Sequence, residues 1–285
     1  MGESDGSALT TEHGTGILKK QQGGDSMIYI TGDTHNTADM HHLSTKWMKR
    51  YCGLQDVNYS DINEVIILGD FGLPWQDCPV DENGIHPVAK DDKYLVRWYN
   101  EKPFKVLAVM GNHDNYNMLE KLPKIKMFGD TVLKVSENIL YLIRGHIYNI
   151  EGKIFLALGG AQSHDKYFRK LNKDLWAQEE WTKEEQDACL ERIKKFGTDV
   201  DFIVSHTGSI NGISCIESSC DDPECVAAFR EDSNVCFNDM IDEMMTYQRW
   251  FFGHWHKNWG YDHKNESRYV PLFVEGVVVE KLKEL

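Results

Sequence analysis

The sequence has no long apolar run and no excess of positive charge. No apolar stretch reaches the roughly 18 residues that a membrane-spanning helix needs, and the first residues lack the basic-then-apolar order of a secretion signal. With 31 basic against 45 acidic residues, the formal net charge is -14, which disfavours extended nucleic acid or an anionic membrane as a partner. These absences predict a soluble, cytoplasmic protein.

The even number of cysteines that a disulfide framework would need is also lacking. The seven cysteines are an odd number and are spread unevenly, which suits reduced thiols better than a disulfide framework. Four of them, Cys215, Cys220, Cys225 and Cys236, lie in one segment, but their spacing does not match the paired C-x-x-C pattern of a structural zinc. We predict that this segment, about residues 208–236, is an inserted lid or rim that shapes substrate access, with a zinc-dependent docking module as the alternative.

The chain is long enough for one large domain and has no internal repeat. Residues 1–26 are rich in Gly, Ser, Thr and Gln without any periodicity, which predicts a disordered leader or an expression remnant before Met27. Residues 27–285 are predicted to form the folded domain.

Strand-like and helix-like patterns alternate along this domain. Helical spacing is found in residues 37–51, 92–100 and 182–196, and the last of these opens with Thr182 followed by Glu185, a capping-box pattern. Short β-like runs between residues 125 and 158 predict antiparallel hairpins that form a second sheet. The predicted fold class is therefore α/β, with a two-layer β sandwich flanked by helices.

Five short polar motifs each follow an apolar run that is typical of a buried strand. They are Gly32-Asp33-Thr34-His35, Gly69-Asp70, Gly111-Asn112-His113-Asp114, Ser205-His206 and Gly253-His254-Trp255-His256. Because the carboxyl ends of strands in layered α/β proteins open into a ligand-binding crevice, these motifs can converge on one point. Taken singly, each motif has an ordinary interpretation as a cap, a turn or a surface histidine; their joint occurrence favours a shared site.

The residue types in the motifs are metal ligands. In an extended segment Asp33 and His35, two residues apart, would face the same side and bind one ion. Carboxylates, imidazoles and one amide oxygen together suit Mn, Fe, Zn, Ni or Co better than Mg or Ca. The sequence therefore predicts a metal-dependent hydrolase.

The five motifs, in this order, resemble the signature D-x-H, G-D, G-N-H-[DE], H and G-H-x-H of the calcineurin-like metallophosphoesterases, and the resemblance extends from residue 27 to about residue 280. It implies a four-layer α/β/β/α fold with two divalent metal ions, of which Mn is favoured. Carried over by position, the first ion would be held by Asp33, His35 and His256, the second by Asn112, His206 and His254, and both by Asp70.

The resemblance also implies the chemistry. Two cations roughly 3.5–4 Å apart lower the pKa of a shared water and supply hydroxide in line with phosphorus. His113 would be the general acid that protonates the leaving oxygen, or else an outer hydrogen-bonding partner of the ligands. Asp114 would orient His113 or shape the loop. The implied substrate is a small phosphomonoester or phosphodiester, such as a nucleotide or a phosphorylated metabolite.

Two further residues are candidates for substrate binding. Asn36 could bind the phosphate or cap a helix beginning near Thr37, and Arg169 could clamp the phosphate or pair with Asp165. The arginines of the family's protein phosphatase branch are absent, because the corresponding positions hold Asn36, Phe71-Gly72-Leu73-Pro74 and Met110. A Ser/Thr protein phosphatase or a nuclease is thus the alternative enzyme, and a metal-bound interaction scaffold is the alternative outside enzymes.

Overall fold

The structure is a computed structural model that describes residues 27–217, 229–258 and 267–279. Within these ranges no helix is both long enough and apolar enough to cross a membrane. The strands are β1 Met27–Thr31, β2 Ile62–Ile67, β3 Val80–Asp81, β4 Gly84–Ile85, β5 Lys105–Ala108, β6 Lys124–Met127, β7 Asp130–Ser136, β8 Ile139–Leu142, β9 His146–Ile150, β10 Lys153–Leu158, β11 Phe202–Ser205, β12 Arg249–Phe252, β13 Tyr269–Pro271 and β14 Gly276–Val278.

The helices lie between these strands. The α-helices are α1 Thr45–Gly53, α2 Lys90–Asn100, α3 Tyr116–Leu119, α4 Lys183–Phe196, α5 Ile210–Glu217 and α6 Ser233–Met244. Short 3-10 helices span Met40–Leu43, Tyr59–Asp61, Lys166–Phe168, Ala177–Glu179 and Phe229–Glu231. Thr182 and Glu185 form the predicted capping box at the start of α4, because each side chain accepts a hydrogen bond from the other residue's backbone amide.

Two mixed sheets make up the centre of the fold. The first has seven strands in the order β14-β1-β2-β5-β8-β7-β6, and the second has five in the order β13-β12-β11-β10-β9. β1, β2, β5 and β8 run parallel in the first sheet, and β10 to β13 run parallel in the second. The parallel strands of each sheet therefore end at a common edge.

Alternating side chains along each strand divide the core into layers. Ile28 and Ile30 of β1 join the apolar cluster between the two sheets, which also contains Phe202 and Phe251 of the second sheet. Tyr29, between them in sequence, packs on the opposite face with residues of α1 and α2. A third cluster joins the outer face of the second sheet to α4 and α6. The predicted sandwich flanked by helices is confirmed.

The prediction for residues 125–158 was right about the hairpins, right about the sheet of the last run, which is β10, and wrong about the sheet of the earlier runs. β6, β7 and β8 extend the first sheet, because β8 pairs with β5. The chain crosses to the second sheet only after β8, through Gly145, whose φ is 75°. β9 and β10 then form the hairpin that starts the second sheet.

Candidate metal centre

The five motifs meet where parallel strands of both sheets end. Asp33, Asp70 and Asn112 follow β1, β2 and β5 of the first sheet, whereas His206 and His254 follow β11 and β12 of the second. The centre therefore lies where the strand ends of the two sheets meet. Each sheet supplies only some of the ligands.

One group of ligand atoms is formed by Asp33, His35 and His256, which all lie within 4.8 Å of one another. His256 Nε2 is 3.3 Å from Asp33 Oδ2. Asp33 is fully buried, while the His256 side chain is 49% exposed, so this group faces the opening of the site. A carboxylate and two imidazoles are a suitable donor set for a transition-metal ion.

A second, buried group is formed by Asp33, Asp70 and His206. His206 Nε2 is 2.8 Å from Asn112 Oδ1 and 3.1 Å from Asp70 Oδ1. The other oxygen of Asp70, Oδ2, is 3.4 Å from His35 Nε2. Asp70 thus faces a histidine of each group, as expected for a carboxylate shared by two ions, and Asp33 is a member of both groups.

His254 provides a separate test of whether the site fits a metal. Its Nε2 is buried and has no hydrogen-bond partner among the described residues. Burial, together with His206 and His164, keeps the pKa of His254 well below its usual value, so the ring is neutral. A buried, neutral nitrogen without a partner costs free energy unless something binds it, and a metal ion would do so.

The backbone of the site is strained at its ligands. The φ angles of His35, Asp70, His254 and His256 are 44°, 47°, 68° and 49°, a left-handed conformation that is unfavourable for side chains with a Cβ. The expectation that Asp33 and His35 share an extended segment is therefore wrong. His35 reaches the site from a left-handed turn, in which its amide donates to the Asp70 carbonyl at 2.8 Å.

Two motif glycines are required because a ligand side chain from another motif lies against each of them. A Cβ on Gly69 would lie 2.1 Å from His206 Nδ1, and a Cβ on Gly253 would lie 2.2 Å from Asp33 Oδ1. Each glycine belongs to one motif and makes room for a ligand from another. The glycines thus allow the motifs to pack closely enough to share ions.

Hydrogen bonds behind the ligands fix their orientation. His206 Nδ1 donates to the carbonyl of Leu68 at 2.7 Å, and His35 Nδ1 lies 2.8 Å from Asp39 Oδ2. In each ring these contacts leave Nε2 directed toward the centre, the arrangement typical of metal-binding histidines.

A buried chain of hydrogen bonds orients the amide of Asn112. Its Nδ2 donates to Ser163 Oγ at 3.1 Å, and Ser163 Oγ donates to Glu179 Oε2 at 2.7 Å. With the nitrogen fixed in this way, Asn112 Oδ1 must face His206 and the centre. Burial raises the pKa of Glu179 to about 7.

The centre is held together electrostatically by opposite charges. Burial alone would lower the pKa values of His35 and His206, but Asp70 and Asp33 raise them to about 9 and about 10. Burial opposes ionisation of Asp70, yet His206 and His113 hold its pKa well below the usual value. Protons on the two rings therefore balance the carboxylates, and metal ions would replace those protons.

A family model described as calcineurin-like phosphoesterase matches residues 26–258, which is most of the chain. The chain belongs to the calcineurin-like phosphoesterase family. A search of curated proteins finds no significant match. Family membership establishes metal-dependent hydrolysis of phosphoesters as the general activity, and the Asp and His groups described above are candidate sites for the metal.

His113, the predicted general acid, lies at the rim of the centre. Its amide donates to Asp70 Oδ1 at 2.7 Å, and its ring packs edge-on against His35. Burial, with further contributions from Arg169 and the neighbouring histidines, lowers the pKa of His113. Asp114 does not reach this ring; its carboxylate accepts hydrogen bonds from the amides of Gly72 and Gly111, so it shapes the loop.

Arg169 contacts both His113 in the site and Asp165, which lies four residues earlier in the sequence. Its Nη2 donates to His113 Nε2 at 2.7 Å, and its Nε is paired with Asp165 Oδ1 at 2.5 Å. The two alternatives considered for Arg169, a role in the pocket and a pair with Asp165, are therefore compatible. A phosphate group near His113 would meet the guanidinium.

Asn36 caps no helix, because the first helical turn begins at Met40 and α1 is capped by Ser44. Its Nδ2 donates to the Gly72 carbonyl at 2.7 Å. It lines a cavity of about 260 Å³ with His35, Gly72, Trp75 and His113. This cavity therefore lies beside the candidate ligand His35 and the predicted general acid His113.

The structure leaves the cysteine segment partly outside its described residues. Cys215 lies in α5 and Cys236 in α6, while Cys220 and Cys225 fall outside the described ranges. Free thiols are found at Cys52, Cys78, Cys189, Cys215 and Cys236. The lid and the zinc module both stay predictions.

Proposed function

We propose that this protein is a dinuclear phosphoesterase that hydrolyses phosphomonoesters or phosphodiesters of small compounds, such as nucleotides or phosphorylated metabolites. Asp33, His35 and His256 would hold one divalent ion, Asn112, His206 and His254 the other, and Asp70 both. Mn²⁺ is our first choice, with Fe, Zn, Ni or Co compatible with the same donors. The position of Asp70, with one oxygen toward His35 and the other toward His206, is the observation that carries the proposal.

Two bound divalent ions would polarise the phosphoryl oxygens and acidify a water molecule. The protein's own residues position the ester. Arg169 would bind the phosphoryl oxygens through its planar guanidinium. Because Arg169 now donates to His113 Nε2, binding of a phosphate to Arg169 would free that nitrogen to hold a proton facing the leaving oxygen. His113 would then act as the general acid.

Asn36 is proposed as a second contact to the substrate. Its side chain lines the cavity beside His35 and His113, and its amide nitrogen is only 2.7 Å from the Gly72 carbonyl, which fixes its position. The absence of the arginines typical of protein phosphatases argues against a phosphoprotein substrate.

The proposal is tested by hydrolysis of bis-p-nitrophenyl phosphate and p-nitrophenyl phosphate by metal-stripped protein, with and without Mn²⁺. We expect Mn²⁺-dependent release from one or both esters and none from Asp70→Asn. The preferred ester would identify the substrate as a diester or a monoester. Two bound ions without hydrolysis of these esters or of a nucleotide panel would favour the interaction scaffold instead.

A further inference from the structure

One short turn beside the metal centre has a charge opposite to that of the whole protein. We call residues 166–173 the basic turn; they read Lys166-Tyr167-Phe168-Arg169-Lys170-Leu171-Asn172-Lys173. The turn has four cations and no carboxylate, in a chain whose formal net charge is -14. Such a local concentration of positive charge marks a surface for an anionic partner.

The basic turn also exposes large apolar side chains. Tyr167 is 87% exposed, Phe168 91% and Leu171 62%. An isolated exposed apolar side chain is ordinary, but two adjacent aromatic rings held in solvent beside a catalytic centre favour a binding surface. The rings are available for stacking with a planar group.

The same turn is joined to the metal centre through Arg169. Its guanidinium is paired with Asp165, donates to the Asp174 carbonyl at 3.0 Å and reaches His113 at 2.7 Å. Asp174 also accepts a hydrogen bond from the amide of Lys170. These contacts hold Arg169 inward, while Tyr167 and Phe168 are directed to solvent.

The remaining cations of the turn are available to a ligand. Lys166, Lys170 and Lys173 form no ion pair with any carboxylate in the described part of the chain, because the nearby Asp165 pairs with Arg169. Lys170 and Lys173 are exposed and Lys166 is half-buried. Three ammonium groups without a carboxylate partner, two exposed rings and one inward arginine thus follow one another within eight residues, and Lys166 Nζ lies 5.9 Å from the centroid of the Tyr167 ring.

We propose that the basic turn binds a short single strand of nucleic acid, with bases stacked on Tyr167 and Phe168, backbone phosphates on the lysines and the reacting phosphate at Arg169. Binding of single strands commonly combines aromatic stacking with a basic track in this way. This proposal rests on the proposed phosphoester hydrolysis and extends its substrates from nucleotides to a short nucleic acid strand, which is the nuclease alternative of the sequence analysis. The net charge still disfavours extended nucleic acid as a partner. A short strand, however, would contact only the basic turn and not the acidic remainder of the protein.

A broad anionic surface fits these observations less well. A duplex or a membrane would extend beyond the basic turn and meet the acidic remainder of the protein, whereas a flexible single strand need not. A duplex also keeps its bases stacked and unavailable to Tyr167 and Phe168. We therefore expect selectivity for single strands over both.

The test is fluorescence anisotropy with a short fluorescein-labelled oligothymidylate and Asp70→Asn protein, so that binding is measured without turnover. We expect affinity to fall with salt with a logarithmic slope of about -3, from four phosphate contacts that involve the three lysines and Arg169. The double variant Tyr167→Ser/Phe168→Ser should weaken binding roughly tenfold or more, because base stacking is lost. The variant Lys166→Gln/Lys170→Gln/Lys173→Gln should reduce the slope to about -0.7, the part that the remaining contact at Arg169 contributes.

A matched control removes the same charge elsewhere. Lys183, Lys194 and Lys195 are exposed on α4, and their joint replacement by Gln should leave oligothymidylate binding unchanged. Equal weakening by this control would overturn the proposal. So would equal affinity of the parent protein for a duplex, or binding to phosphatidylserine vesicles without binding to the oligothymidylate.

The two proposals fail separately. Hydrolysis of p-nitrophenyl esters without oligothymidylate binding would overturn the role of the basic turn and support the phosphoesterase. Oligothymidylate binding that depends on Tyr167 and Phe168, in a protein that hydrolyses no ester, would support the binding surface and overturn the proposed function. Circular dichroism of each variant checks that its fold is retained.

Discussion

The floor of the metal centre and the basic turn beside it are stabilised in different ways. Asp33, Asp70 and His206 of the floor are at most 1% exposed, follow strands, and have ligand atoms within 4.8 Å of one another. Tyr167 and Phe168 of the turn are almost fully exposed, and the turn is held by its own backbone hydrogen bonds and by the inward contacts of Arg169. A metal centre needs fixed geometry, whereas a substrate-binding rim can adapt. Substitutions in the floor should therefore abolish function, and those at the rim should reduce it by degrees.

The largest expected effect is that of Asp70→Asn in the floor. Asn keeps the shape but removes the carboxylate charge that faces both His35 and His206, so we expect both metal binding and ester hydrolysis to be lost. Metal content measured by mass spectrometry checks the first and p-nitrophenyl release the second. Asp130→Asn is the matched control, because it removes a carboxylate on β7 that is paired with His146. This variant should keep both its metal and its activity. Full metal content in Asp70→Asn would contradict a shared role for this residue.

Gly253→Ala tests whether the floor depends on close backbone approach. The new Cβ would lie 2.2 Å from Asp33 Oδ1 and 2.8 Å from the Leu68 carbonyl, so Asp33 must move. We expect activity to fall by roughly a hundredfold or more, since small displacements of reacting groups have such effects. Gly53→Ala, where a Cβ meets nothing within 4 Å, should retain activity. Normal activity in both variants would show that the floor is adaptable.

His113→Ala tests a residue that lies between the metal ligands of the floor and the substrate-binding rim. Because His113 contributes its ring to the pocket and is not among the proposed ligands, the variant should keep its metal. Turnover should slow by roughly 10²–10⁴-fold through loss of the general acid. His86→Ala removes an exposed histidine paired with Asp81 and is the control. An unchanged rate in His113→Ala would remove this residue from the mechanism.

Arg169→Lys should have a smaller effect, confined to the rim. Lysine keeps the charge but loses the planar fork that matches two phosphoryl oxygens. We expect KM to rise by about tenfold with metal content unchanged. Arg97→Lys on the exposed surface of α2 should change neither value. A fall in metal content in Arg169→Lys would place this residue in the floor.

The difference between floor and rim also explains what could be predicted from the sequence. Each floor ligand belongs to a short motif directly after an apolar strand, so the position of the motifs at strand ends and their joint occurrence were sufficient to predict that they meet. The left-handed turn at His35 was missed, because the tertiary hydrogen bond from its amide to Asp70 determines it.

Residues behind the ligands were harder to predict. Ser163 and Glu179 orient Asn112, yet they are 16 residues apart and become neighbours only through tertiary packing. Asp39 is four residues from His35 and could have been found by its spacing. Exposure of Tyr167 and Phe168 runs against the tendency of aromatic residues to be buried, so no hydrophobic pattern predicts it.

The smallest expected effect concerns the stability of the metal-free floor as a function of pH. The folded pKa values of His35 and His206, about 9 and about 10, exceed the ordinary value of 6.5. The stabilisation of the folded state by these two protonated rings is therefore complete below about pH 6.5 and is lost as pH rises through about 9 to 10. Asp70, whose pKa is depressed, acts oppositely and stabilises above its ordinary value of 3.8.

Thermal unfolding of metal-stripped protein should consequently show a melting temperature that declines on the alkaline side. Bound metal ions replace the protons on both rings, so protein loaded with Mn²⁺ should not show that decline. In His206→Gln the metal-free protein should lose most of the alkaline dependence, because the more strongly shifted group is removed. A decline of equal size with and without metal would mean that groups outside the floor cause it. The pH profile thus separates the floor, whose charges are coupled and buried, from the rim, whose exposed lysines should not affect stability.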